Sequence, residues 1–212
     1  YCSLLGVSPS KIDKLVKIPF LPIQFFKTHK VISSKKKISH IFKSSGTTGD
    51  RSINYVSNID VYIKSFSRCF ENFYGSIKNY TFLALVPSYI EQKNSSLVFM
   101  LDNFIQRSLY DESEFYLYNY KRLFNVLNKL KDSNRKIILF GVSYALLDFV
   151  EKHPISMKNL IVIETGGMKG KREEMTKDQL HNELKKGFGT KEIHSEYGMT
   201  ELYSQGYSKD GE

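Results

Sequence analysis

Three short runs of nearly unbroken apolar residues limit what this chain can fold into: Tyr80-Thr81-Phe82-Leu83-Ala84-Leu85-Val86, Lys136-Ile137-Ile138-Leu139-Phe140-Gly141 and Asn159-Leu160-Ile161-Val162-Ile163. A strand with one face in water alternates apolar and polar residues, and a strand covered on both faces does not. Runs of this kind therefore belong inside a parallel sheet. The segments between them carry a helical period. Ile59, Ile63, Phe66, Phe70 and Phe73 recur at alternating steps of four and three behind Ser57-Asn58, a pair suited to capping. Ser95-Ser96 opens a second helix over 97–105, Leu123, Val126, Leu127 and Leu130 make a third stripe, and 144–153 and 178–187 complete the set. The order β-α-β-α predicts an α/β fold, a mainly parallel sheet flanked by helices, with ligands at the carboxyl ends of the strands. Residues 110–121, aromatic and acidic, fall outside the alternation and read as a surface excursion.

With 212 residues, 41% of them hydrophobic, the chain can bury a core as a single domain over 1–212. It begins at Tyr1 and ends on a polar, turn-like tail, Lys209-Asp210-Gly211-Glu212, so the sequence is expected to be a piece of a longer polypeptide. The formal charge of +9 suits an anionic partner. The lysines are spread along the chain, however, and Lys35-Lys36-Lys37 is the one tight run. No nucleic-acid module accompanies it, so phosphate attraction is favoured over nucleic acid. Cys2 and Cys69 lack paired spacing, which argues against a disulfide framework or a zinc site and for a reducing cytoplasm. Apolar stretches such as 18–23 are short and broken by proline, so neither a membrane span nor a secretory signal is expected.

The chemistry concentrates in three later segments. In residues 41–52 an extended run enters Ser44-Ser45-Gly46-Thr47-Thr48-Gly49-Asp50-Arg51-Ser52, after which 53–56 resumes extended character. Glycines let backbone N–H groups wrap an anion and hydroxyls add donors, which makes a phosphate cradle. Alone, the segment reads equally well as a Ser/Gly-rich hairpin turn. The Walker spacing is absent. Glu164-Thr165-Gly166-Gly167-Met168 puts a glycine pair at the end of the third apolar run, where backbone can lie against a flat base. Ile193-His194-Ser195-Glu196-Tyr197-Gly198-Met199-Thr200-Glu201 brings together an aromatic that can stack, a hydroxyl for a phosphate and a carboxylate for Mg²⁺. His194 leads a short strand and reads as a structural hydrogen-bonder. His29, His40, His153 and His181 share no metal-ligand spacing. Tyr89, after Pro87-Ser88 at the end of the first apolar run, reads equally as a pocket-lining or a rim residue.

The SGTTG, Gly-Gly and YGMTE segments stand in the order and approximate separation of the phosphate, adenine and magnesium motifs of the adenylate-forming superfamily, which includes acyl-CoA synthetases and phenylacetate-CoA ligases. With 18–27, 85–89 and 164–175, the chain most resembles the acyl-protein synthetase family, the fatty-acid-activating component of bacterial fatty-acid reductase complexes. The resemblance runs from about Ile18 to Ser208. It implies the N-terminal part of an adenylate-forming fold without its mobile C-terminal domain, and ATP and Mg²⁺ as cofactors. Ser45, Gly46, Thr47, Thr48 and Gly49 would hold the β- and γ-phosphates, and Gly166, Gly167 and Tyr197 would frame adenine. Thr200 would contact the α-phosphate and Glu201 would bind Mg²⁺, the two being the catalytic candidates.

The implied reaction activates a long-chain fatty acid, or another carboxylic acid, and passes the acyl group to a thiol. That thiol is a C-terminal cysteine, a partner reductase or coenzyme A. The family's acylated cysteine lies near the C-terminus, and neither Cys2 nor Cys69 matches it. Many superfamily members carry Pro-Lys after the loop, where this chain has Arg51-Ser52. A phenylacetate-type CoA ligase and a nucleotide-binding module without turnover are the alternatives. Replacing Thr47 and Thr48 together by valine removes two hydroxyl donors and keeps their shape. The ATP-supported reaction of the complete enzyme should fall about a hundredfold or more, at ~1.5–3 kcal/mol per hydrogen bond to a charged group. A wild-type rate would make the loop purely structural.

Overall fold

The computed structural model describes residues 1–32, 37–45, 50–87, 92–117, 119–168 and 170–209. The three apolar runs are neighbouring parallel strands: β3 (Tyr80–Leu85), β5 (Lys136–Val142) and β6 (Leu160–Thr165). All six residues of β3 are buried, as covering on both faces requires. With β4 (Glu114–Phe115), β7 (His194–Gly198) and β8 (Gln205–Lys209) they form a six-stranded sheet of order β4-β3-β5-β6-β7-β8. The pairings are parallel except β7 with β8. Apart from this sheet, β1 (His40–Lys43) and β2 (Ile53–Val56) form an antiparallel hairpin.

Four of the six α-helices among the described residues begin on a side-chain cap. A four-residue α1 (Phe25–Thr28) precedes the hairpin. The first long helix, α2 (Ile59–Tyr74), opens on Asn58, whose side chain accepts from Asp60 N, and α3 (Ser96–Arg107) opens on Ser95, which accepts from Val98 N. Asn119 caps α4 (Tyr120–Leu130), α5 (Ser143–Lys152) follows β5 directly, and α6 (Lys177–Phe188) starts with a capping box between Thr176 and Gln179. On α2 the buried line is Tyr62, Phe66 and Phe70, while Phe73 is 40% exposed. Phe73 lies at the angle of that line but stands at the last turn of α2, where its ring is 5.7 Å from that of Tyr207 and its outer side meets solvent.

Residues 110–121 are not a surface excursion. Within them β4 pairs with β3, Tyr116 and Leu117 are buried, and Ser113 Oγ accepts from Phe82 N at 3.0 Å. A strand of two residues is too short to show a period in sequence.

From β3 the chain passes through α3 to β4 on one side, then returns through α4 to β5 on the other. Because parallel crossovers are right-handed, this reversal puts α3 and α4 on opposite faces. Aromatic packing follows the division. On one face Phe104 of α3 lies 4.8 Å from Phe70 of α2 and 5.4 Å from Phe82 of β3. On the other, Phe149 of α5 lies 5.9 Å from Tyr120 of α4 and 6.0 Å from Phe188 of α6.

Where β5 runs into α5, a Cβ on Gly141 would come within 2.7 Å of Leu146 Cγ and 3.2 Å of Leu85 Cβ. Gly141→Ala should cost about 1–3 kcal/mol by overpacking. That exceeds the ~0.4–1 kcal/mol gained by restricting the unfolded chain. The urea midpoint is therefore expected to fall, and a rise would show that α5 gives way.

Candidate functional site

The reversal at β3 leaves a gap outside the carboxyl ends of β3 and β5, because the chain leaves these neighbouring strands toward opposite faces. A cleft of ≈ 680 Å³ lies there, with Val86 and Pro87 after β3, Val142 of β5, and Thr165 and Gly166 at the end of β6 on its lining. The mouth of the hairpin supplies Lys43, Ser44, Ser45 and Arg51, and residues 92–98 supply the approach to α3 and its first turn. Glu196, Gly198, Thr200 and Gln205 complete the lining.

Backbone bonds fix these walls. Ser44 N donates to Ser52 O at 3.0 Å, and Ser52 N donates to Ser44 Oγ at 3.0 Å, closing the base of the loop. Lys43 N donates to Asn94 O at 2.8 Å, which ties the hairpin to the segment before α3. Asn54 Nδ2 donates to Thr200 O at 2.9 Å, so the hairpin also holds the turn after β7. Gly166 and Gly167 have φ of 73° and 64°. Two successive left-handed residues turn the chain off β6, a path that side chains other than glycine resist.

Consecutive side chains of a strand point to opposite faces, and the end of β6 uses both. Glu164 is buried among Ser143 Oγ, which donates at 2.9 Å, Ser195 Oγ, which donates at 2.6 Å, and His181 Nε2 at 3.5 Å. It thereby joins β6 to β7 and to the starts of α5 and α6. Thr165 Oγ1, on the cleft side, donates to Glu196 Oε2 at 2.5 Å. Although Ser195, His181 and Glu164 are close, they are not a nucleophilic triad: the serine and the carboxylate face the same imidazole nitrogen, Nε2, where a triad places them at opposite nitrogens.

Ser45, Gly166 and Thr200 share the cleft lining. Gly167 is exposed beside it, Tyr197 is 70% exposed, and Glu201 is half-buried next to Thr200; these three are not on the lining. Gly46, Thr47, Thr48, Gly49 and Tyr89 lie outside the described residues. His194 is a structural hydrogen-bonder: Tyr74 Oη is 2.9 Å from its Nδ1 and the two rings stack at 5.7 Å. Burial, with the charge of Glu196, pushes the Cys69 thiol up, and Cys69 Sγ donates to Gln205 O at 3.0 Å. A thiol so held is a poor nucleophile at neutral pH.

Sequence reasoning missed Lys43, Lys93, Asn94, Glu196 and Gln205. Glu196 sits inside a quoted motif, and the period of two along β7 separates its side chain from that of Ser195. Lys93 and Asn94 carry no local signal, since only the fold brings them to the hairpin.

The family model described as "Acyl-protein synthetase, LuxE" matches residues 1–209. No curated protein matches the chain. Among solved structures, it is similar to the O-succinylbenzoate Coenzyme A Synthetase (MenE) of Bacillus subtilis in complex with AMP, with 17% identity and a TM-score of 0.51. The match covers 81% of this chain and 32% of that one, so the chain spans about a third of that enzyme's length. At this identity the likeness is one of fold.

Glu164→Ala removes the acceptor of two buried hydroxyls. Ser143 Oγ keeps Thr165 O at 3.2 Å, so the loss falls mainly on Ser195. The expected cost is ~1–3 kcal/mol, or roughly 2–4 °C in Tm per kcal/mol at this size. Glu164→Gln retains an acceptor and should lose less. A Glu164→Ala protein melting at or above Glu164→Gln in calorimetry would refute the account.

Proposed function

We propose that this chain, which belongs to the acyl-protein synthetase (LuxE) family, forms the nucleotide-handling part of an ATP-dependent enzyme that activates a carboxylic acid and passes the acyl group to a thiol. The observation that carries the reading is the meeting of Ser45, Gly166 and Thr200, from three separate segments, on one cleft at the reversal of strand order. Support also comes from the AMP named with the Bacillus subtilis synthetase, whose fold the chain resembles.

In this reading an oxygen of the substrate carboxylate attacks the α-phosphorus of ATP. The bond from that phosphorus to the β-bridging oxygen breaks and pyrophosphate leaves. A thiolate then attacks the acyl carbon of the mixed anhydride and AMP leaves. The Thr200 hydroxyl donates to an α-phosphate oxygen as charge develops there, and Ser45 with residues 46–49 holds the β- and γ-phosphates. Gly166, Gly167 and Tyr197 frame adenine, the exposed ring of Tyr197 being free to stack.

A single carboxylate, Glu201 beside Thr200, is compatible with Mg²⁺, which takes one or two carboxylates plus phosphate oxygens and water; among the described residues no group of three or more Asp, Glu, His or Cys is placed to hold a metal ion. Glu201 would hold it, and the ion would supply charge neutralisation on the phosphates. The acyl substrate is a long-chain fatty acid and the acceptor a protein cysteine other than Cys69, whose thiol is held protonated. The largely polar cleft suits the nucleotide and not the aliphatic tail.

The test uses the intact protein with labelled long-chain fatty acid and MgATP, with and without coenzyme A. Acid-dependent ATP–pyrophosphate exchange is expected, with label retained on protein and released by hydroxylamine. Glu201→Gln should raise the Mg²⁺ concentration needed for exchange by about tenfold, the loss of one charge-assisted contact. Absence of acid-dependent exchange over a range of chain lengths would sink the enzymatic reading. Label found only on coenzyme A would move the acceptor from protein to coenzyme.

A further inference from the structure

Three cations from two walls meet in the cleft. Lys43 ends β1, Arg51 stands just before β2, and Lys93 lies in the segment leading to α3; all three are on the lining and exposed. None has a carboxylate within ion-pair distance among the described residues. Away from the cleft, Arg107 pairs with Glu71, Arg122 with Glu114, and Arg135 with Glu112, while other exposed lysines among the described residues also stand without a carboxylate, so it is the grouping of the three in one cleft that distinguishes them. A single solvated lysine means little. Three cations on the walls of one concave site are different, because low-dielectric walls focus their field into the shared space.

The walls are held in register. The bond from Lys43 N to Asn94 O, 2.8 Å, joins the residue after Lys93 to the end of β1, so the two cationic segments are anchored to each other. Among the described residues Glu196 is the one carboxylate on the lining, and it is buried with the Thr165 hydroxyl on its Oε2. The first turn of α3 faces the same cleft, and its N-terminal partial positive charge adds to the field.

We infer that Lys43, Arg51 and Lys93 bind the terminal phosphates of the nucleotide and the pyrophosphate that leaves, and so set preference for a polyphosphate over a nucleoside monophosphate. The inference rests on the nucleotide-handling reading above and adds charged residues beyond its glycine and hydroxyl motif. A polyphosphate is the ligand because it carries several negative charges on adjacent groups, matching cations spread over two walls. A fatty acid offers one carboxylate, which a single cation would satisfy.

The experiment titrates the intact protein with MgATP, magnesium pyrophosphate, AMP and a soluble fatty acid, at low and high salt. The variants are Lys43→Met, Arg51→Met, Lys93→Met and Lys93→Arg, with circular dichroism as the control for folding. Each methionine variant should bind ATP and pyrophosphate about tenfold more weakly, the scale of one hydrogen bond to a charged group. AMP affinity should change by less than about twofold and Lys93→Arg should stay near wild type, since the lost contact is a charge on phosphates that AMP lacks. Salt should weaken ATP binding to wild type more than to the variants. Unchanged ATP affinity, equal losses for ATP and AMP, or losses confined to the fatty acid would each overturn the inference. A wild-type protein that binds no nucleotide would overturn the functional reading beneath it.

Discussion

Because the chain leaves β3 through α3 in one direction and comes back past it through α4 in the other, the segments that follow β3 and β5 depart to opposite faces and neither fills the space between. The right-handed crossover enforces this for any sequence with that strand order. What the sequence adds is the set of side chains placed around the gap. The apolar runs bury β3, β5 and β6 on both faces, so the strand ends are rigid and the groups just beyond them inherit fixed positions. The cleft follows from connectivity, and its chemistry follows from which residues the short segments after each strand happen to carry.

The hairpin is the second determinant, and hydrogen bonds fasten it. Packing contributes through Phe42, whose ring sits 5.5 Å from Tyr62 and 5.6 Å from Phe99. That burial fixes the hairpin against α2 and α3 but leaves its loop end unspecified. The bonds from Lys43 to Asn94 and from Asn54 to Thr200 set the loop end in turn against the approach to α3 and the turn after β7. A two-stranded hairpin is marginal by itself. Here it is stable because its apolar side joins the aromatic cluster, and its polar ends can therefore be given over to the cleft.

The sheet strands and helices were legible because burial imposes periods. A doubly covered strand must be apolar at every position, and a half-covered helix must repeat near 3.6, so 80–86, 136–141, 159–163 and the stripes between them reveal themselves locally. β4 did not, since two residues carry no period and its place depends on pairing with β3. Site legibility divides in the same way. Gly166 and Thr200 stand in compact motifs that mark them locally, though Gly167 of the same pair is not on the lining. Lys43, Lys93 and Gln205 have many other uses, and only the fold brings segments distant in sequence onto one surface. The resemblance to the adenylate-forming superfamily supplied roles for Tyr197 and Glu201. Neither lies on the cleft lining, and those roles remain proposals.

The end of β6 separates two demands that often compete. A strand's alternation sends Glu164 toward the helices and Thr165 toward the cleft, so adjacent residues serve different purposes without sharing a partner. Glu164 satisfies Ser143 and Ser195 on the helix side and thereby holds the ends of β5, β6 and β7 together. Thr165 holds Glu196 on the other side, leaving that carboxylate oriented and its charge partly offset by a hydroxyl. A buried carboxylate is costly unless hydrogen-bonded, and each of these has been given a donor from a neighbouring strand or helix start. The donors need the strands in register, since a slip of one residue would exchange the two faces and strand both carboxylates. The polar groups at this sheet end therefore specify register more than they add stability, and the same register aligns Gly166, Glu196 and Thr200 around the cleft.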